Sequence, residues 1–187
     1  MLELFHFDWM IFDFINHNLC NPLFDAFFPF ITNVRNWLIV YAIGFVFLMW
    51  KGGVNGRLCA IAALLTIGIS DQMNSHLIKN IVSRDRPFVN NAYVRVLGGK
   101  PGGKSFPSSH ATNNAAQAVV FTMFFFRYRY VWWSIAVLIA FSRIYVGVHY
   151  PTDVLAGLTE GTIIGLIVGT SVLKVYEYFK NRKAVES

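Results

Sequence analysis

Three short polar stretches interrupt an otherwise apolar chain, and each carries residue types suited to holding an oxyanion. Lys79 and Arg86 precede Pro87; Pro107-Ser108-Ser109-His110 follows; Ser142-Arg143 then leads to His149 and Asp153. An arginine offers paired N–H donors to a phosphate, a lysine a point charge. Ser108 and Ser109 stand at the head of an apolar run, where the first N–H groups of a helix lack partners and favour an anion. His149 and Asp153 are four apart with Pro151 between them, and proline suits the first position of a helix. Asp153 then falls in the first turn and can accept the His149 Nδ1–H, leaving Nε2 free. A phosphoryl group is the oxyanion such a set fits best, because its transfer depends on positioning and charge stabilisation. Two histidines and an aspartate also match a zinc donor set. Against zinc, no second ligand type stands near His110, and the surrounding cations would repel a dication.

These residues sit among segments that make them expensive. Of 187 residues, 55% are hydrophobic, 17% aromatic and 14% charged, where soluble domains carry about 25% charged residues; mean hydropathy is positive. A charged side chain at a bilayer centre costs roughly 2.5–3.5 kcal/mol on insertion scales, so something must offset it. The composition defines a polytopic membrane protein, read as an all-α helix bundle forming one membrane-embedded domain over residues 1–187. The net charge of +6 comes from basic residues in the gaps between apolar segments, not from a stripe on a soluble face. That excludes a nucleic-acid partner. Cys20 and Cys59 lie in different segments without metal or redox spacing and read as packing residues. With Glu3, Asp8 and Asp13 and no basic flank, the N-terminus is not a cleavable signal peptide.

Five spans follow from the apolar runs: residues 37–50, 58–81, 111–126, 131–146 and 154–175. Trp37 and Trp50, with Arg35 and Lys51, bracket the first as an interfacial belt. In the second, Asp71, Ser75 and Lys79 recur every fourth residue and share a face; a cavity or a helix-packing Asp–Lys pair both explain them. Residues 82–109 form a polar loop rich in glycine, with Arg84, Arg86, Arg95, Lys100 and Lys104. Gly157, Gly161, Gly165 and Gly169 permit close helix approach, inside the bundle in preference to a dimer contact; the oligomeric state stays open, and Glu160 has no assigned role. In residues 5–33, Phe7, Met10, Ile11, Phe14 and Ile15 recur at helical spacing and describe an interfacial helix. Asn21-Pro22 marks a turn, and residues 23–32 form a second short helix bent at Pro29. Asp8, Asp13, Asn16 and Asp25 make the stretch too polar for a lipid-facing span, while a sixth crossing here stays open. His6, His17 and His76 read as interfacial residues.

The five spans divide the 16 basic residues equally between the two sides. Setting aside Lys79, Arg86 and Arg143 as phosphate ligands leaves eight against five, so the C-terminal tail becomes cytoplasmic and the polar clusters face outward.

Together, Lys79-x6-Arg86-Pro87, Pro107-Ser108-Ser109-His110 and Ser142-Arg143-x5-His149-x3-Asp153 resemble the three-part signature of the type 2 phosphatidic-acid phosphatase superfamily. The resemblance covers residues 79–153 in order, spacing and membrane side. One position departs: the family usually has glycine where this chain has Ser109. The resemblance implies an integral membrane lipid phosphatase needing no metal and no cofactor. It implies His149 as nucleophile through a phosphohistidine, Asp153 as its orienting partner and His110 as the acid that protonates the leaving oxygen. Lys79, Arg86, Ser108, Ser109 and Arg143 would hold the phosphate. Arg84-Asp85-Arg86-Pro87-Phe88 and Phe106 to His110 look like the small bacterial branch, which acts on undecaprenyl pyrophosphate, lipid A 1-phosphate or phosphatidylglycerophosphate. The expected partner is thus a phospho- or pyrophospho-lipid arriving laterally from the membrane lipids, in a bacterial inner membrane with the site toward the periplasm. The additional cations Arg84, Arg95, Lys100 and Lys104 mildly favour a head group with more than one phosphate. The rival from another class is a lipid-phosphate binding or transport protein, which has no use for the His149–Asp153 spacing.

Overall fold

A computed structural model describes residues 2–185; the side chains of residues 2–5, 75–77, 90 and 185 lie outside the described residues, so the readings of Ser75 and His76 are not addressed. Among the described residues every regular element is a helix. α1 (Leu2–Asp13) runs through a wider π-turn at Phe14–Asn18 and is followed by α2 (Pro22–Thr32). Asn21 caps α2 by accepting the Phe24 N–H at 2.9 Å, and Pro29 lies inside that helix.

α3 (Leu38–Lys51) and α4 (Gly53–Gln72) form a tight pair. α4 continues through a π-turn at Met73–Ile78 into α5 (Lys79–Val82). The polar loop holds only one short helix, α6 (Pro87–Asn90). α7 (Ser109–Phe124), α8 (Arg129–Tyr145) and α9 (Pro151–Val185) complete the bundle. Helices fall on all five expected spans. Three stretches, Val34–Lys51, Gly53–Gln72 and Pro151–Ala184, are long and apolar enough to cross a membrane. α7 and α8, of 16 and 17 residues, are shorter than the roughly 20 residues a straight crossing needs. The reason is local: the ends of the apolar runs are given over to the polar site.

α7 is the hub, packed against α4, α8 and α9. Its Ala111, Ala115, Ala116 and Ala118 are all buried, and the α9 glycines lie directly on it. A Cβ at Gly157 would meet the Ser108 carbonyl oxygen at 2.6 Å, one at Gly161 would collide with the Thr112 carbonyl, and one at Gly165 would meet the Ala116 carbonyl at 2.8 Å. The row therefore packs within the bundle, as expected for small residues that let backbones approach.

Polarity in the N-terminal segment points inward. Phe7, Met10 and Phe14 are more than half exposed, while Asp8, Phe12 and Asn16 are buried. Asn16 donates to the Arg95 and Tyr145 carbonyls at 2.9 and 2.8 Å and accepts the Arg95 N–H at 3.0 Å. Asp25 accepts from Arg95 Nη2 and the Tyr145 hydroxyl, both at 2.6 Å. The buried polar residues of 5–33 thus mark contacts to the bundle, beside Phe12, Ile15 and Phe28 in its core, while Phe7, Met10 and Phe14 turn outward.

Candidate active site

The C-terminal end of α8, the N-terminal ends of α7 and α9, and α5 meet at one end of the bundle, and the three polar clusters meet there. Gly147 makes the turn after α8. Its φ is +82° and a Cβ would collide with the Arg95 carbonyl, so glycine is required both for the left-handed backbone and for the close approach. That turn sets His149 against Arg86. α9 begins at Pro151, which places Asp153 in its first turn.

His149 is 3% exposed and Asp153 fully buried. His149 Nδ1 lies 3.5 Å from Asp153 Oδ2, just beyond a short hydrogen bond. Nε2 lies 3.2 Å from Arg86 Nη1; a guanidinium can only donate, so Nε2 is the acceptor and the ring proton belongs on Nδ1. Burial pushes the His149 pKa down to about 4, with Asp153 opposing and the Arg86 and Arg143 cations reinforcing. The imidazole is therefore neutral at neutral pH, with its lone pair toward the cations.

Arg86 is 5% exposed and donates to the Gly103, Val148 and Gly102 carbonyls at 3.1, 3.0 and 3.2 Å. The glycine-rich loop, unpatterned in sequence, serves as its cradle. Lys79 Nζ donates to Ser109 Oγ at 2.9 Å, and Asp71 accepts from Asn113 on the next turn of α7 at 3.0 Å. Lys79 and Asp71 thus each find a partner on α7. Ser108 is the residue before α7; its N–H donates to the Asp153 carbonyl at 3.0 Å, tying the two helix starts together.

Arg143 Nη1 donates to the Thr32 hydroxyl at 2.7 Å, and His110 Nε2 lies 3.2 Å from the Thr32 carbonyl oxygen. His110 is within electrostatic reach of Arg143, His149 and Lys79. Thr32, at the end of α2, was not foreseen. No local pattern singles it out, because its role comes from α2 docking on α8. Three buried polar atoms in this cluster lack partners: Ser108 Oγ, Arg143 Nε and His149 Nδ1. Buried polar groups are normally paired, and two of these, the hydroxyl and the guanidinium N–H, are donors suited to an anion. Among the described residues no three of His, Cys, Asp and Glu converge as metal ligands.

All four additional cations already have protein partners, carboxylates for three of them. Arg84 bridges Asp8 and Asp153 at 2.5 and 2.7 Å, and Arg95 pairs with Asp25. Lys104 pairs with Asp85 at 2.8 Å, and Lys100 lies 5.7 Å over the Phe88 ring. The sequence-based case for a second phosphate therefore loses its strongest members.

The profile of the PAP2 superfamily matches residues 57–178. The chain belongs to this superfamily. It is a multi-pass membrane enzyme of the lipid phosphatase class, which hydrolyses phosphate esters. A lipid A 4'-phosphatase of Porphyromonas gingivalis is 37% identical over 171 residues, covering 87% of this chain and 70% of that protein. The undecaprenyl-diphosphatase BcrC of Bacillus subtilis is 33% identical over 150 residues, covering 79% and 74%. The crystal structure of Aquifex aeolicus LpxE is similar with a TM-score of 0.67 and 25% identity, over 86% of this chain and 93% of that one. A transmembrane PAP2 type phosphatidylglycerolphosphate phosphatase from Bacillus subtilis shares the fold with a TM-score of 0.74 at 23% identity, over 94% and 89%.

Proposed function

We propose that this chain removes a phosphate from the sugar head group of a lipid A-type glycolipid through a phosphohistidine, as a single domain whose site opens on the outer face of a bacterial inner membrane. The observation that carries the chemistry is the buried polar cluster in which His149 Nε2 faces Arg86 while Ser108 Oγ and Arg143 Nε stand unpartnered. His149 Nε2 attacks phosphorus, the bond to the lipid oxygen breaks, and His110 gives that oxygen a proton. The Thr32 carbonyl takes up His110 Nε2–H, so Nδ1 is the nitrogen that exchanges protons. Water then attacks the phosphohistidine, His110 accepts its proton, and the P–N bond breaks to restore His149. Arg86, Arg143 and Lys79, with Ser108, Ser109 and the first N–H groups of α7, hold the phosphoryl oxygens.

Two points favour a monophosphate over a pyrophosphate. The relative with the highest identity given above acts, by its name, at the lipid A 4' position, and Arg84 and Arg95 are held by carboxylates. The similarity to BcrC keeps a prenyl pyrophosphate as the second reading. Orientation rests on the division of basic residues with Lys79, Arg86 and Arg143 set aside, eight against five in favour of a cytoplasmic tail.

The experiment is phosphate release by purified protein from lipid A, undecaprenyl pyrophosphate and phosphatidylglycerophosphate, with mass spectrometry locating the lipid A phosphate removed. Release from lipid A should be fastest; preference for the pyrophosphate selects the second reading, and release from none refutes the proposal. His149→Ala should abolish turnover and labelling by phosphate. His110→Ala should cost on the order of 10²–10⁴ in rate, and a loss below about threefold removes it as the acid.

A further inference from the structure

The reaction above leaves the polar groups of α1 unused, yet one of them reaches the site. Asp8 is 2% exposed and its carboxylate is fully engaged. Oδ1 accepts the Thr152 N–H at 2.9 Å, and Oδ2 accepts the Thr152 hydroxyl at 2.6 Å and Arg84 Nη2 at 2.5 Å. Through Nη1 the same arginine donates to Asp153 Oδ1 and Thr152 Oγ1, both at 2.7 Å. Its guanidinium lies 3.8 Å over the Tyr150 ring, and Tyr150 packs against Trp9 and Phe12 of α1. The other Asp153 oxygen, Oδ2, accepts the Tyr150 N–H at 2.9 Å and faces His149.

We propose that Asp8 and Arg84 are positioning residues for His149: α1 brings a second carboxylate to the arginine that holds Asp153, setting both the direction and the charge of the group behind the imidazole. Direction comes from the two-point hold. With Oδ1 pinned by Arg84 and Oδ2 by the Tyr150 N–H, the carboxylate turns one oxygen toward His149 Nδ1. Charge comes from the count of groups. Attack by Nε2 leaves the imidazole positive, and Asp153 is the anion beside it. Arg84 alone would cancel that anion. Asp8 restores a net negative charge to the cluster, in a water-poor interior where such charge acts strongly. Asp8 also accepts an otherwise unpartnered N–H in the first turn of α9, which anchors the clamp on the helix that carries Asp153.

The inference rests on His149 being the nucleophile. Its test uses Asp8→Asn and Arg84→Lys in the full-length protein, assayed on whichever lipid of the panel turns over fastest, with orthovanadate and inorganic phosphate as inhibitors. Vanadate can close a fifth bond to an oriented imidazole, whereas phosphate needs only the cations. In both variants kcat should fall about 10- to 100-fold, as for a displaced reacting group. KM and the phosphate inhibition constant should stay within about twofold, and the vanadate constant should rise at least about 10-fold, in keeping with the same loss of alignment. If Asp8→Asn does not fold, Arg84→Lys decides alone. Unchanged kcat, or a loss in which KM and the phosphate constant rise together with that of vanadate, would overturn the proposal and leave the clamp a docking contact for α1. Failure of the parent reading shows separately, as turnover retained in His149→Ala.

Discussion

At the residue scale, the site holds a buried, neutral imidazole among arginines. Burial of His149 lowers its pKa to about 4, below the ordinary value near 6.5. Between those values an unfolded chain takes up the proton and the folded one does not. This contribution to stability is present above pH 6.5 and is lost as pH falls toward 4. In a histidine-labelled sample, the ring resonance that disappears in His149→Ala should titrate with a midpoint near 4; a midpoint near 6.5 would contradict the burial. The His149–Asp153 pair was legible in sequence because the two residues lie four apart across a helix start. Thr32 was not, although its hydroxyl and carbonyl both serve the site: a lone threonine before Asn33 has no distinguishing neighbourhood until α2 is placed on α8. Arg84 was legible as a cation but assigned to substrate, since its acid partner Asp8 lies 76 positions away.

At the element scale, α7 and α9 act as one unit because glycines let them touch. Gly161 meets the Thr112 carbonyl, which is backbone and cannot yield, whereas Gly169 meets the flexible Met123 side chain at 2.6 Å. Gly161→Ala should therefore lower the thermal midpoint in detergent clearly more than Gly169→Ala, with overpacking costs typically about 1–3 kcal/mol. Because Ser108 and Asp153 sit at the starts of these two helices, the Gly161 variant should also lose activity; equal effects at both positions would mean that the helices do not rely on this contact. The polar turn of α4 shows how spacing can inform without fixing partners. Asp71 and Lys79 both face α7, but a π-turn separates them and each is satisfied by a different α7 residue.

At the scale of the whole molecule, the sidedness of the site is open to a direct measurement on native thiols. Cys20 is exposed in the turn beside Asn21, whose N–H is 3.4 Å from the Tyr145 hydroxyl at the site end, while Cys59 is buried in the α4–α7–α9 core. A membrane-impermeant maleimide applied to intact cells with the outer membrane opened should label Cys20 alone. Labelling only after lysis would place the site inside.

Composition and apolar periodicity were enough to establish an all-helical membrane bundle, and the order of its segments, because a run of apolar residues carries its own instruction to leave water. The spacing of Arg143, His149 and Asp153 likewise determined a helix start with a histidine–carboxylate pair, since that geometry is local. Tertiary structure alone decided which charges gather around His149 and which are consumed by one another. Asp8, Asp25 and Asn16 read only as residues too polar to face lipid, yet they turn inward to Arg84, Arg95 and Tyr145. A polar side chain in an apolar chain must find a partner, and when that partner is distant in sequence only the packing of helices reveals which one it takes.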